Sequence, residues 1–258
     1  MKIIWLILIL TGLISGILAG LLGIGGGVIL VPILVTLGIL PVKAVATSSL
    51  AILITAISGT IENYRKGYIN FKKVIYLGIP AIITSQIGVY LANLFPGYIL
   101  LGAFAFLLIV NIYLLELKQS LVAAENNLIQ KPKISPILAR IFTGSSAGIL
   151  AGLFGVGGGV IMVPLQILLL EEEIKPAIQT SLGVIMITGL SSAFGHALKG
   201  NVLFLEGVIL GIGGLLGAQI GTRFLPKIPD KYVSLIFRSF LGILSLYMLA
   251  QAVIKYDN

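Results

Sequence analysis

The chain has 258 residues, 58% of them hydrophobic and 10% charged, with a mean hydropathy of +1.12, which is too little charge to cover a soluble domain of this length. Its net charge of +8, from 17 basic and 9 acidic residues, fits the basic cytoplasmic loops of a membrane protein and argues against a nucleic-acid binder. The absence of cysteine excludes disulfides, thiolate metal sites and thiol chemistry.

In chain order, the first half reads as apolar segments over roughly 3–22, 27–39, 42–62, 74–94 and 98–117. A polar, proline-containing stretch at 118–137 follows and reads as a cytoplasmic linker. The second half then gives segments over roughly 138–154, 159–170, 174–197, 202–222 and 231–253. Helices of about 20 such residues cross a bilayer core. The segments lack the alternation over about ten residues that marks a membrane β-barrel. The sequence therefore predicts an all-α polytopic membrane protein. The opening "MKIIWLILILTGLISG" has the make-up of a signal peptide. Its tail, residues 16–22, recurs at 148–154 inside the chain, so it reads as a retained first membrane segment.

The two halves are repeats, 1–117 and 138–258. "GILAGLLGIGGGVILVPI" at 16–33 and "GILAGLFGVGGGVIMVPL" at 148–165 agree at fourteen of eighteen positions. After a one-residue insertion the register becomes 133: "TSSL" at 47 matches "TSLG" at 180, "KGYINF" at 66 matches "KGNVLF" at 199, and "GIPAIITSQIG" at 78 matches "GIGGLLGAQIG" at 211. The second segment of each half is too short to cross alone, since twelve helical residues reach only about 18 Å. It carries an early proline, Pro32 or Pro164, where a missing N–H is tolerated. Segments one and two of each half form either a hairpin or a broken, re-entrant unit. If they are separate crossings, the repeats are inverted and basic residues divide 12 inside to 4 outside; as single crossings they give parallel repeats divided 11 to 5. Inversion is the expectation, because the apolar run at 3–38 is too long for one crossing, and inverted repeats suit alternating access.

The glycine triplets Gly25, Gly26, Gly27 and Gly157, Gly158, Gly159 interrupt apolar helices at matching places. A helix broken inside a bilayer exposes amides and carbonyls that protein, water or ligand must satisfy. The helices beginning after them aim their N-terminal amides and positive dipole ends at the gap, which suits an anion. Paired breaks of this kind are the sequence pointer to a transporter's substrate site. The spacing does not fit a dinucleotide-binding loop, because the third required glycine is replaced by Val28 or Leu30. Gly16, Gly20, Gly148 and Gly152 read instead as helix-packing positions.

Other candidates follow the same duplication. Thr47 and Ser48, with Thr180 and Ser181, either donate hydroxyls to an anion or bond carbonyls of their own helices. Gln86 and Gln219 read as buried amides on a shared central cavity, acting as ligands or as interhelical clamps. His196, the single histidine, is either a proton relay or an interfacial residue. Arg238 either snorkels to the interface or pairs with an anion inside the bundle. Glu171, Glu172 and Glu173 read as a solvated loop or helix end. No enzyme constellation, metal cluster or cofactor motif is legible.

The duplicated G-x-GGG-x-x-x-VP, followed by (A/Q)TS and then KG, resembles the sulfite exporter TauE/SafE family, also called the toluene sulfonate uptake permeases. The resemblance covers both halves. It implies a carrier of the prokaryotic cytoplasmic membrane that moves sulfite or an organosulfonate and draws on the proton gradient, with the lipid bilayer as its other partner. A passive anion channel on the same scaffold and a non-transporting assembly subunit are the alternatives.

Overall fold

The computed structural model describes the backbone of residues 2–124 and 135–256 and the side chains of 4–113 and 135–251. Residues 125–134 of the expected linker lie outside the described residues. Ten α-helices and no strand occur among those described: α1 (Lys2–Leu22), α2 (Gly27–Thr36), α3 (Pro41–Arg65), α4 (Phe71–Leu94), α5 (Gly97–Ala124), α6 (Pro136–Phe154), α7 (Gly159–Leu169), α8 (Ile174–Leu198), α9 (Phe204–Phe224) and α10 (Asp230–Tyr256). The apolar runs become the helices, and local chemistry sets their ends. Proline opens α3 and α6 at the position where its missing N–H costs nothing. The Asn70 side chain caps α4 by accepting from the Lys73 amide at 3.2 Å. Two boundaries differ from the sequence reading. α5 continues through Ala124 into the stretch read as linker. Pro32 lies well inside α2, beyond its first turn, and so removes the amide that would bond the Val28 carbonyl; Pro164 does the same to Val160 in α7.

Seven of the described helices are long and apolar enough to cross a membrane: α1, α3, α4, α6, α8, α9 and α10. Large hydrophobic side chains such as Ile83, Phe194 and Leu246 stand exposed along them, as expected of a surface that meets lipid. This is a multi-pass membrane protein.

The halves interlock. α1 of the first packs along α9 of the second, and its repeat mate α6 packs along α4. Glycines make both contacts possible, because lipid offers no hydrophobic drive between helices and close van der Waals packing must supply it. A methyl group on Gly16 would sit 2.7 Å from the Gly214 Cα, and one on Gly148 2.7 Å from the Ala81 Cα. The packing reading of these glycines thus holds.

The central helices fix the directions. Ser49 of α3 meets Ser192 of α8 at 3.3 Å, while Leu53 lies against Gly189 and Gly59 against Leu182. The third helices of the two repeats therefore run antiparallel, the relation that inverted repeats require. α9 runs parallel to α3, joined by the Ser58 hydroxyl to the Leu215 carbonyl at 2.8 Å and by Arg223 to Glu62 at 2.9 Å. The repeat-related contact in α4 and α8 is the Ser191 hydroxyl to the Ile82 carbonyl at 3.0 Å. Ion pairs gather at the end where α3 finishes and α4, α8 and α10 begin: Glu62 with Arg223 and Lys66, Lys73 with Glu172, and Lys175 with Asp230.

Candidate functional site at the paired helix breaks

α1 ends at Leu22 and α2 starts at Gly27, with the chain reversing between them. Gly23, Gly25 and Gly26 take φ of +66°, +76° and +79°; Gly155, Gly157 and Gly158 take +63°, +75° and +79°. These are left-handed conformations that only glycine adopts without strain. Backbone shape thus requires the first two glycines of each triplet, and the third, Gly27 or Gly159, is required by the close approach of a carbonyl of the other break.

The two breaks meet. A methyl group on Gly25 would lie 2.8 Å from the Val156 carbonyl oxygen, and one on Gly159 would overlap the Gly23 carbonyl. Ile52 and Ile185, repeat mates on α3 and α8, both lie against Gly25 and Gly157. The structure therefore brings the triplets to one central place with apolar flanks, fully buried. At the first break, Gly23 N–H bonds the Ala19 carbonyl, and Ile29 and Leu30 N–H share the Gly26 carbonyl. The amides of Ile24, Gly25, Gly26, Gly27 and Val28 have no acceptor among the described residues. At the second break the chain makes a turn at Gly157 and Gly158, and among the described residues no hydrogen bond of good geometry is made by the amides of Gly157, Gly158, Gly159 or Val160 before Met162 N–H reaches the Gly158 carbonyl at 3.1 Å. Buried donors without partners are costly in a bilayer. Two clusters of them, at two helix N-termini, offer converging positive dipole ends and no charged side chain.

The carbonyl side of each break is tied down by the opposite repeat. The Ser48 hydroxyl donates to the Gly155 carbonyl at 2.8 Å, and its repeat mate Ser181 donates to the Gly23 carbonyl at 2.8 Å. Of the two readings of these serines, carbonyl bonding describes their geometry: each meets a carbonyl of the other repeat, and Ser181 also bonds the Ile178 carbonyl of its own helix at 2.9 Å. We expect Ser48→Ala and Ser181→Ala each to lower stability by about 1–3 kcal/mol, because each strands a buried carbonyl. Thermal unfolding of the detergent-solubilised protein checks this, and equal losses at the two mates are the expected result.

Thr47 accepts from the Leu203 amide at 3.1 Å, so it caps the start of α9. Thr180 is buried at its matching place on α8. Gln86 departs from the expected burial, since it is exposed, but it does clamp two helices: it donates to the Ser191 carbonyl and hydroxyl of α8, each at 2.7 Å. Gln219 is half-buried. A polar residue within an apolar run reads as buried, but here a neighbouring helix supplies its partners at the surface. Arg238 is half-buried on α10, which packs chiefly on α5 and also touches α1 and α2, the latter through the hydroxyls of Thr36 and Tyr247. His196 is fully buried, and its Nε2 lies 2.9 Å from the Gly152 carbonyl in the last turn of α6. Of the acidic triplet, Glu172 is half-buried and pairs with Lys73. No group of three metal-ligating side chains comes together among the described residues.

Sequence reasoning missed three hydroxyls at the breaks. Ser15 bonds the Gly26 carbonyl at 2.8 Å, Thr188 the Gly157 carbonyl at 2.9 Å, and Ser192 the Ala151 carbonyl at 3.3 Å. Their signal is spacing. Thr188, Ser192 and His196 share one face of α8, turned to the second break and the last turn of α6, and Ser181 on the same stripe meets the first break.

Two helical repeats that interlock across a bilayer-length bundle, each broken at the same place beside the other, define a multi-pass membrane transporter. The chain belongs to the sulfite exporter TauE/SafE family, whose sequence profile matches residues 8–248. It is 27% identical to the probable membrane transporter protein YunE of Bacillus subtilis (strain 168), over 96% of this chain and 98% of that one. A probable membrane transporter protein of Methanocaldococcus jannaschii is 29% identical over 94% of both chains. YdhB of Bacillus subtilis, also a probable membrane transporter protein, is 26% identical over 94% of this chain and all of its own. No solved structure matches the chain.

Proposed function

We propose that the protein carries a small anion, sulfite or an organosulfonate, across the cytoplasmic membrane of a prokaryote by alternating access coupled to protons. The observation that supports this most is the pair of breaks whose buried amides have no acceptor and which meet at one place. An anion accepts from those amides and sits at two positive helix ends, which removes the cost of leaving the donors bare. The family name supports the sulfur oxyanion class, and the bacterial and archaeal relatives support the prokaryotic membrane. The end that carries the ion pairs also collects Arg65, Lys66, Lys72, Lys73, Arg140, Lys175, Arg223, Lys227 and Lys231, so the positive-inside rule turns it to the cytoplasm. Direct packing of one break on the other favours a carrier over an open pore.

Purified protein in liposomes, given labelled sulfite or a short organosulfonate under a pH gradient, should show flux that saturates with substrate and falls severalfold when a protonophore collapses the gradient. Linear flux indifferent to the gradient would instead establish a passive anion channel. No flux of any of these anions would overturn the substrate class.

A further inference from the structure

The repeats agree in sequence register but not in hydrogen bonding at the far ends of α3 and α8. On α8, Thr188 bonds the Gly157 carbonyl and His196 bonds the Gly152 carbonyl, both across to the second break. On α3 the repeat mates are Thr55 and Asn63. Thr55 bonds the Ala51 carbonyl of its own helix at 2.8 Å. Asn63 is fully buried, and neither its amide nitrogen nor its oxygen has a partner among the described residues. The carbonyls equivalent to Gly152 and Gly157 are those of Gly20 and Gly25, and neither has a hydrogen-bond donor among the described residues. Gly20 lies in the last turn of α1, where helix carbonyls are orphaned unless something caps them. A donor and an acceptor are thus both left bare at the first break, at the positions where the second break has a bond. By contrast, the Ser48 and Ser181 bonds and the Ser58 and Ser191 bonds are made equally in both repeats.

We propose that Asn63 and His196 are alternating latches. In the conformation described here the His196 latch is made and seals the end where α8 finishes. In the opposite conformation the Asn63 amide donates to the Gly20 carbonyl, the Thr55 hydroxyl turns to the Gly25 carbonyl, and the His196 bond opens. Inverted repeats exchange conformations when the carrier turns over, so a bond made in one repeat and unmade in its mate marks what switches. Buried polar groups that lack partners in one state gain them in the other, which keeps the two states close in energy. Asn63 and His196 are positioning residues, because they act on the breaks and not on the anion. The inference rests on the alternating-access reading, but its test measures opening at each end and not transport.

The chain has no cysteine, so single cysteines report without background. Thr60→Cys and Ala193→Cys are repeat mates, both nearly buried and about one turn before each latch. Their labelling rates with a maleimide, on detergent-solubilised protein, read the opening of the two ends. Asn63→Ala removes a bond of the second conformation only. It should slow labelling at Ala193→Cys and speed it at Thr60→Cys, each by about three- to tenfold, the population shift that one hydrogen bond supports. His196→Ala should do the reverse. The double variant loses one bond from each state and should return towards the parent ratio. His196→Asn keeps a donor and should label like the parent, which separates the latch from simple damage to the fold. Shifts in the same direction for both single variants, no shift in either, or a double variant more skewed than both would overturn the proposal. A liposome flux result against sulfite would leave these labelling rates untouched, so the two readings fail separately.

Discussion

Gly159→Ala should abolish transport, with flux in liposomes falling by at least about tenfold, while the protein still inserts and purifies as a single species. The added methyl group would overlap the Gly23 carbonyl, which belongs to the other break and is held by Ser181. Backbone cannot swing aside as the end of a side chain can. The methyl group must therefore push the two breaks apart, at an overpacking cost of about 1–3 kcal/mol concentrated at the centre. The long interfaces of α1 with α9 and of α4 with α6 lie elsewhere and remain intact. Gly38→Ala is the matched control. Gly38 has φ +85°, but open space surrounds it, so alanine there costs only local strain of about 1–2 kcal/mol. Full transport by Gly159→Ala would remove the breaks from the substrate path.

A leucine at Gly16 or Gly148 should have the opposite profile, with little protein recovered in monodisperse form. These glycines sit where α1 crosses α9 and where α6 crosses α4, backbone on backbone. A methyl group at Gly148 already lies 2.7 Å from the Ala81 Cα, and a full leucine must separate the helices along much of their length. Overpacking of this kind costs on the order of 3 kcal/mol or more, and it removes the close contact that drives association in lipid. Gel filtration of detergent extracts, with Gly67→Ala as a control in open space, checks the result. Normal yield from both leucine variants would mean that the interlock contributes little to the fold.

The helices were legible because a span needs a run of apolar residues, and such runs survive in sequence whatever the partner. The breaks were legible because left-handed backbone demands glycine, and the demand appears twice. Partner choice was not legible. The glycine faces of α1 and α9 meet from opposite halves of the chain, and nothing in either segment names the other. Polarity named Gln86 as a clamp between helices but misjudged its depth, since its bonds to Ser191 lie on an exposed face. It also undersold Ser15 and Thr188, since a lone hydroxyl in a helix ordinarily bonds its own preceding turn. Thr55 does so and Thr188 also reaches a break, with the same residue type at the same register. Type and spacing nominate such a residue, and only the fold decides which carbonyl it meets.

The pairing of α1 with α9 also sets an order of assembly. A ribosome must deliver the chain through residue 224 before the first helix meets its partner. Until then Gly12, Gly16 and Gly20 face lipid or a chaperone, while α6 closes on α4 much earlier. The first half alone, cut after α5, has no surface on which to bury that stripe, and it should be degraded when made alone. Made together as two polypeptides, the halves carry each other's missing helix and can complete one another in the membrane.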